Sequence, residues 1–163
     1  MSSGTVSEQV IQIEHVAIRS TKAFADVKTN LERLLPKLDE KIVQSIASGE
    51  VEALKQELEQ GPELAIFLCR DHGSLLKVAG RASKALQYEI GNPLTASKMT
   101  RHRLAASLYA PLRVVLYEDE TLGSVFEYDK PSSLFGQFGD SQISQVARGL
   151  DTALQRVLQR AMK

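Results

Sequence analysis

The pattern of apolar and polar positions is organised around the stretch from Gln87 to Tyr117. It predicts strand, sharp turn, helix, second turn and strand. Gln87 to Ile90 carries Tyr88 and Ile90, residue types that suit a pleated strand. Gly91 then offers backbone freedom, Asn92 is a good helix N-cap, and Pro93 suits a first helical position, where its missing N–H is not needed. A helix is predicted from Pro93 to His102. Lys98, Arg101, His102 and Arg103 gather at the end that favours positive charge. Pro111 stops any helix through Ala105 to Ala110 and leads into a strand, Leu112 to Asp119.

The rest of the chain follows the same logic. Residues 1–8 are polar and are predicted to form a flexible N-terminus. Val10 to Ser20 reads as a strand, with Ile11, Ile13, His15 and Ala17 on one face and Gln12, Glu14, Val16 and Ile18 on the other. Ser20 or Thr21 is the expected cap of a helix carrying Phe24, Val27, Leu31 and Leu34, which Pro36 ends. Residues 39–60 break the rhythm as a helical excursion. Ile42, Val43 and Ile46 suggest one short helix, and Val51, Leu54 and Leu58 suggest another beyond Gly49. Leu64 to Arg70 is apolar enough to be predicted in the middle of a sheet. A short helix at Ser74 to Ala79 follows. Gly123 to Tyr128 is the second strand of a hairpin, and Leu134 to Gly139 is a connector. Asp140 or Ser141 caps a long last helix whose stripe is Ile143, Val146, Leu150, Leu154, Val157 and Ala161.

The predicted class is α+β: a mainly antiparallel sheet of about five strands with helices on one face. The order is β-α-(helical excursion)-β(4)-α, in a single domain spanning residues 1–163. Hydrophobic residues make up 43% of the chain, as in globular proteins. Twenty basic residues balance twenty acidic ones, which argues against nucleic acid as a partner. The lone Cys69 rules out a disulfide framework or a cysteine-rich zinc site. No apolar run suggests a membrane span, and the N-terminus does not read as a signal peptide, so a cytoplasmic location is expected.

Candidate chemistry is sparse. Asp71-His72 pairs a carboxylate with an imidazole able to do acid–base work or bind a metal. The alternative is that Asp71 caps the short helix at Ser74 and His72 hydrogen-bonds in the core. Cys69 falls on the opposite strand face from His72, which argues against a direct dyad. Gly91-Asn92-Pro93 offers free amides to a ligand, or is simply a well-capped helix start. Met99 is either packing or a soft ligand of haem or metal. Lys98, Arg101 and Arg103 form a small basic cluster, and Tyr128-Asp129 can rim a pocket or a dimer face. The three histidines, His15, His72 and His102, show no ligand spacing.

Arg70-Asp71-His72-Gly73, Ile90-Gly91-Asn92-Pro93-Leu94, Lys98-Met99, Ala110-Pro111-Leu112 and Tyr128-Asp129-Lys130-Pro131-Ser132-Ser133 together resemble the domain-of-unknown-function family 302. The resemblance covers roughly residues 10–160, with the excursion as a departure. It implies a TATA-binding-protein-like α+β fold of order β-α-β(4)-α, and frequent homodimers. It supplies no reaction, and a fold shared with a DNA-binding protein says nothing about DNA.

The expectation is therefore a homodimeric domain binding a small molecule, with Asp71, His72, Asn92, Pro93, Met99 and Tyr128 around one pocket beneath the last helix. No complete set of nucleophile, base and oxyanion donors is visible, and no cofactor or metal site is assigned. The alternatives are an enzyme using His72 as acid–base with Asp71 orienting it, a haem- or metal-binding redox protein using His72 or Met99, and a purely structural partner protein.

Overall fold

The computed structural model describes residues 4–163; the side chains of Glu40, Val43 and Ile46 also lie outside the described residues. The expected flexible N-terminus is thus described from residue 4, and the Val43 and Ile46 positions of the expected helix stripe are not. Residues 4–14 carry no regular secondary structure, so the strand expected from Val10 begins only at His15, as β1 (His15–Ser20). The reason is its partner: Asp129 pairs with His15, and Pro131 then opens a helix, so earlier residues have no strand to meet.

Helix α1 (Phe24–Leu34) buries Phe24, Val27 and Leu31. Its cap is Ala23, with no side-chain hydrogen bond, rather than Ser20 or Thr21. Ser20 is engaged elsewhere. Its hydroxyl donates to the Met162 carbonyl at 3.2 Å and ties the first strand to the chain's last turn. Helices α2 (Glu40–Ser48) and α3 (Val51–Gln60) follow. Asp39 caps α2, and Gly49 breaks the pair in a left-handed conformation (φ 79°) that disfavours residues with a side chain.

Strand β2 (Ala65–Asp71) runs into a short helix, α4 (His72–Leu75), and a 3₁₀ turn (Leu76–Ala79). Then come β3 (Ala85–Gly91), α5 (Pro93–Thr100), a 3₁₀ segment (Leu104–Tyr109), β4 (Leu112–Glu118) and β5 (Ser124–Asp129). Helix α6 (Pro131–Phe135) and a 3₁₀ turn (Gly136–Phe138) replace the expected connector. Helix α7 (Ser141–Ala161) is capped by Asp140, whose carboxylate accepts from the Gln142 and Ile143 amides.

The five strands form one antiparallel sheet in the order β1-β5-β4-β3-β2. One face carries Leu86, Tyr88, Ile90, Val114, Leu116, Phe126 and Tyr128 into a core with α1, α5 and α7. Alternation sends the ionic side chains His15, Arg113, Glu89 and Glu127 to the other face. Strand β2 lies at an edge, not in the middle. Only its first two residues are buried, where Ile66 N–H donates to the Pro36 carbonyl and the Ile66 carbonyl accepts from Leu38 N–H. A short apolar run has the same composition in either place, so its neighbours decide.

Candidate functional site

The turn between β3 and α5 is built by one side chain. Asn92 is extended (φ −146°, ψ 127°), and its amide oxygen accepts from Leu94 N–H at 2.8 Å and Thr95 N–H at 3.2 Å. Its amide nitrogen donates to the Pro62 carbonyl at 3.0 Å. The cap therefore also fastens α5 to the segment closing the α2–α3 pair. Pro93 is the first helical residue, as its lack of an N–H allows.

Behind this turn lies a cavity of about 80 Å³. Gly91, Asn92 and Pro93 form one wall, and Thr95, Ala96 and Met99 of α5 form another. Phe67, Pro111, Phe135 and Leu150 contribute apolar surface, and among the described residues no ionisable side chain lines the space. Gly91 matters here through its size. It is not among the glycines of positive φ, and a Cβ added to it would sit 3.6 Å from both a Phe67 ring carbon and Pro111 Cβ. The expectation that Gly91 supplies an unusual backbone angle is corrected: its missing side chain leaves the opening between two rings. A second hollow of about 140 Å³ lies against Asn92 and Pro93, between the turn and Leu38, Ile42 and Leu58.

Three of the expected ligand residues line the first cavity: Asn92, Pro93 and Met99. Asp71 and His72 do not. Strands β2 and β3 run antiparallel with Ala65 opposite Gly91 and Asp71 opposite Leu86, so Asp71 lies at the far end of the pair, about 20 Å from the turn. The single convergent pocket is thus corrected to a smaller one without this pair. Asp71 Oδ2 accepts from the Ser74 hydroxyl at 2.7 Å and Oδ1 from the Ser74 amide at 2.8 Å, which caps α4. Those bonds, the hydroxyl's foremost, hold its carboxyl below the usual range. Among the described residues no hydrogen bond joins Asp71 to His72, which is exposed rather than buried in the core. Tyr128 is a core residue on β5, outside the cavity, and burial pushes its hydroxyl up, with the Asp151 carboxylate adding to the shift.

Met99 is 1% exposed and faces a space far below the roughly 300–1,000 Å³ of drug-sized pockets, so a haem has no room beside it. His72 and Met99 occupy separate parts of the molecule and share no centre. Among the described residues, no group of three or more His, Cys, Asp or Glu is placed to hold a metal ion. The Cys69 thiol is pushed up by desolvation first and by the Glu32 carboxylate second, the opposite of an activated nucleophile.

Sequence reasoning missed a cluster on the open sheet face. His15 Nδ1 lies 2.9 Å from Asp129 Oδ1, and Nε2 lies 3.3 Å from Glu127 Oε2. The Tyr117 hydroxyl donates to Glu127 Oε1 at 2.7 Å. The Asp129 and Glu127 contacts raise the His15 pKa, in that order. The signal lies in the β1–β5 register, which sets His15 opposite Asp129; no spacing within either strand contains it.

Comparison with known proteins agrees with this fold. The family model Domain of unknown function DUF302 matches residues 45–161, which includes the second helix of the excursion. The crystal structure of the uncharacterized conserved protein DUF302 from Bacillus stearothermophilus is similar, with a TM-score of 0.66 and 17% sequence identity over 90% of this chain and 97% of that one. Among curated proteins, none matches. No described helix is long and apolar enough to cross a membrane. A five-stranded antiparallel sheet backed by helices, together with a family match over most of its length, shows that the chain belongs to the DUF302 domain family.

Proposed function

We propose that this protein is a non-enzymatic binding module whose ligand is a small, uncharged, largely apolar molecule held behind the Gly91-Asn92-Pro93 turn. The supporting observation is the cavity itself: about 80 Å³, beside a side chain that caps one helix and clips another segment, and lined without a charge. An ion would enter it at a high desolvation cost with no partner. A neutral molecule of a few heavy atoms meets Met99, Phe135 and Leu150, with Thr95 and Asn92 as polar neighbours. The order of elements supports reading the fold as TATA-binding-protein-like, and a reducing compartment such as the cytoplasm suits the single thiol.

The test is a titration of the protein with isobutanol and with benzene, followed through the Met99 methyl resonance. Saturable shifts at Met99 and Ile90 are expected, and they should disappear in Gly91→Ala, whose added methyl enters the opening. Shifts that persist in that variant, or that never saturate, overturn the reading.

Homodimerisation belongs to the same reading. It is supported by the exposure of Leu104 (82%) and Leu108 (75%) on one 3₁₀ segment, apolar surface that a lone chain leaves in water. Native mass spectrometry should give a dimer, and Leu104→Ser with Leu108→Ser should give a monomer; a monomeric parent protein rejects the assembly.

A further inference from the structure

Helix α3 is amphipathic, yet none of its residues is buried. Val51 is 64% exposed, and Leu54 and Leu58 are partly buried, with part of each side chain left at the surface. They face α5 across a groove of about 500 Å³, whose other apolar wall is Pro93 and Leu94. Lys55 of α3, Lys98 of α5 and Arg101 just past the end of α5 stand at the groove, against a single carboxylate, Glu59. The ion pairs among the described residues involve His15, Lys28, Arg70, Lys84, Lys130 and Arg156, so these three cations have none there. Placement near a helix C-terminus explains Lys98 and Arg101 on their own, but not Lys55 in the middle of α3.

We propose that this groove is a second binding site, distinct from the cavity, for a single-chain anionic amphiphile such as an alkyl carboxylate. The chain lies on Leu54, Leu58 and Leu94, and the head sits within reach of Lys55, Lys98 and Arg101. Charge complementarity sets the sign of the ligand, and the apolar floor sets its tail. Size favours a small molecule over a protein. From Val51 to Glu59 the helix rises only about 12 Å, about two turns, whereas a stable protein interface covers about 800 Å² per partner.

The experiment uses the full chain, decanoate and decanol, and observes the methyl resonances of Leu54, Leu58 and Leu94. Decanoate should shift these three saturably and bind at least about tenfold more tightly than decanol, with affinity falling as salt is raised. Lys98→Glu combined with Arg101→Glu, both exposed positions, should lower decanoate affinity about tenfold or more. Gly91→Ala should leave it unchanged, which separates this site from the cavity. Equal affinity for the alcohol, no effect of charge reversal, or shifts confined to Met99 and Ile90 would each overturn the proposal. So would binding of an acidic amphipathic peptide at these leucines with none of decanoate.

Discussion

Asn92 donates its side-chain amide to the Pro62 carbonyl at 3.0 Å while the same side chain's oxygen caps α5. One residue thus joins the start of a core-packed helix to the segment just after the helical pair. Asn92→Ala removes the cap and the clip together and should cost about 1–2 kcal/mol in urea unfolding. Asn92→Asp keeps the acceptor and loses the donor, so it should cost less. Equal losses in the two variants would show that the Pro62 contact, not the cap, carries the effect.

Three glycines should respond to alanine in different ways. A Cβ at Gly73 would run into the Ser83 carbonyl oxygen and lie 2.8 Å from the Ala85 nitrogen, both backbone atoms. Gly73→Ala should therefore destabilise by more than about 2 kcal/mol, since α4 and the start of β3 must separate. Gly149 sits inside α7, and a methyl added there would meet nothing within 4 Å. Gly149→Ala should stabilise by about 0.5–1 kcal/mol. Gly91→Ala, in ordinary contact distance, should leave the protein folded while closing the cavity. Thermal and urea midpoints of the three variants check the ranking.

His15 should titrate above its ordinary value, because Asp129 and then Glu127 favour its charged form. The sign follows from linkage: a raised folded-state value contributes stability that is fully present below about pH 6.5 and fades as pH rises through the raised value. Glu127, held low first by the Tyr117 hydroxyl and then by His15, loses its contribution as pH falls through its own depressed value. The contact is strongest between those limits. Its size is small, about 0–1 kcal/mol, because the histidine is well exposed. The stability difference between the parent protein and His15→Gln should shrink above neutrality; a difference that grows with pH would contradict the assignment.

Tyr88 is fully buried, and its hydroxyl donates to Glu32 Oε1 at 3.1 Å. Tyr88→Phe removes that bond without opening a cavity and should cost about 0.5–1.5 kcal/mol. Because Glu32 also meets Lys28 at 2.8 Å, the variant leaves the carboxylate a partner. A cost several times larger would mean that the hydroxyl does more than donate to Glu32.

Local chemistry was legible in the chain. The alternation in β3, β4 and β5, the stripe of α7, and the caps at Asn92, Asp140 and Asp71 depend on residues within a few positions of one another, and period and hydrogen-bonding capacity specify them. The motifs around Asp71-His72 and Gly91-Asn92-Pro93 also pointed to the family. What the chain alone left open was every relation carried across the sheet. Whether β2 lies inside or at an edge, whether Asp71 meets Asn92, and which carboxylates surround His15 are all set by strand order and register. Those arise from long-range backbone pairing and burial, where residues far apart in sequence choose their neighbours together. An antiparallel pairing placed the two most conspicuous motifs at opposite ends of one ladder, and only the folded sheet could decide that.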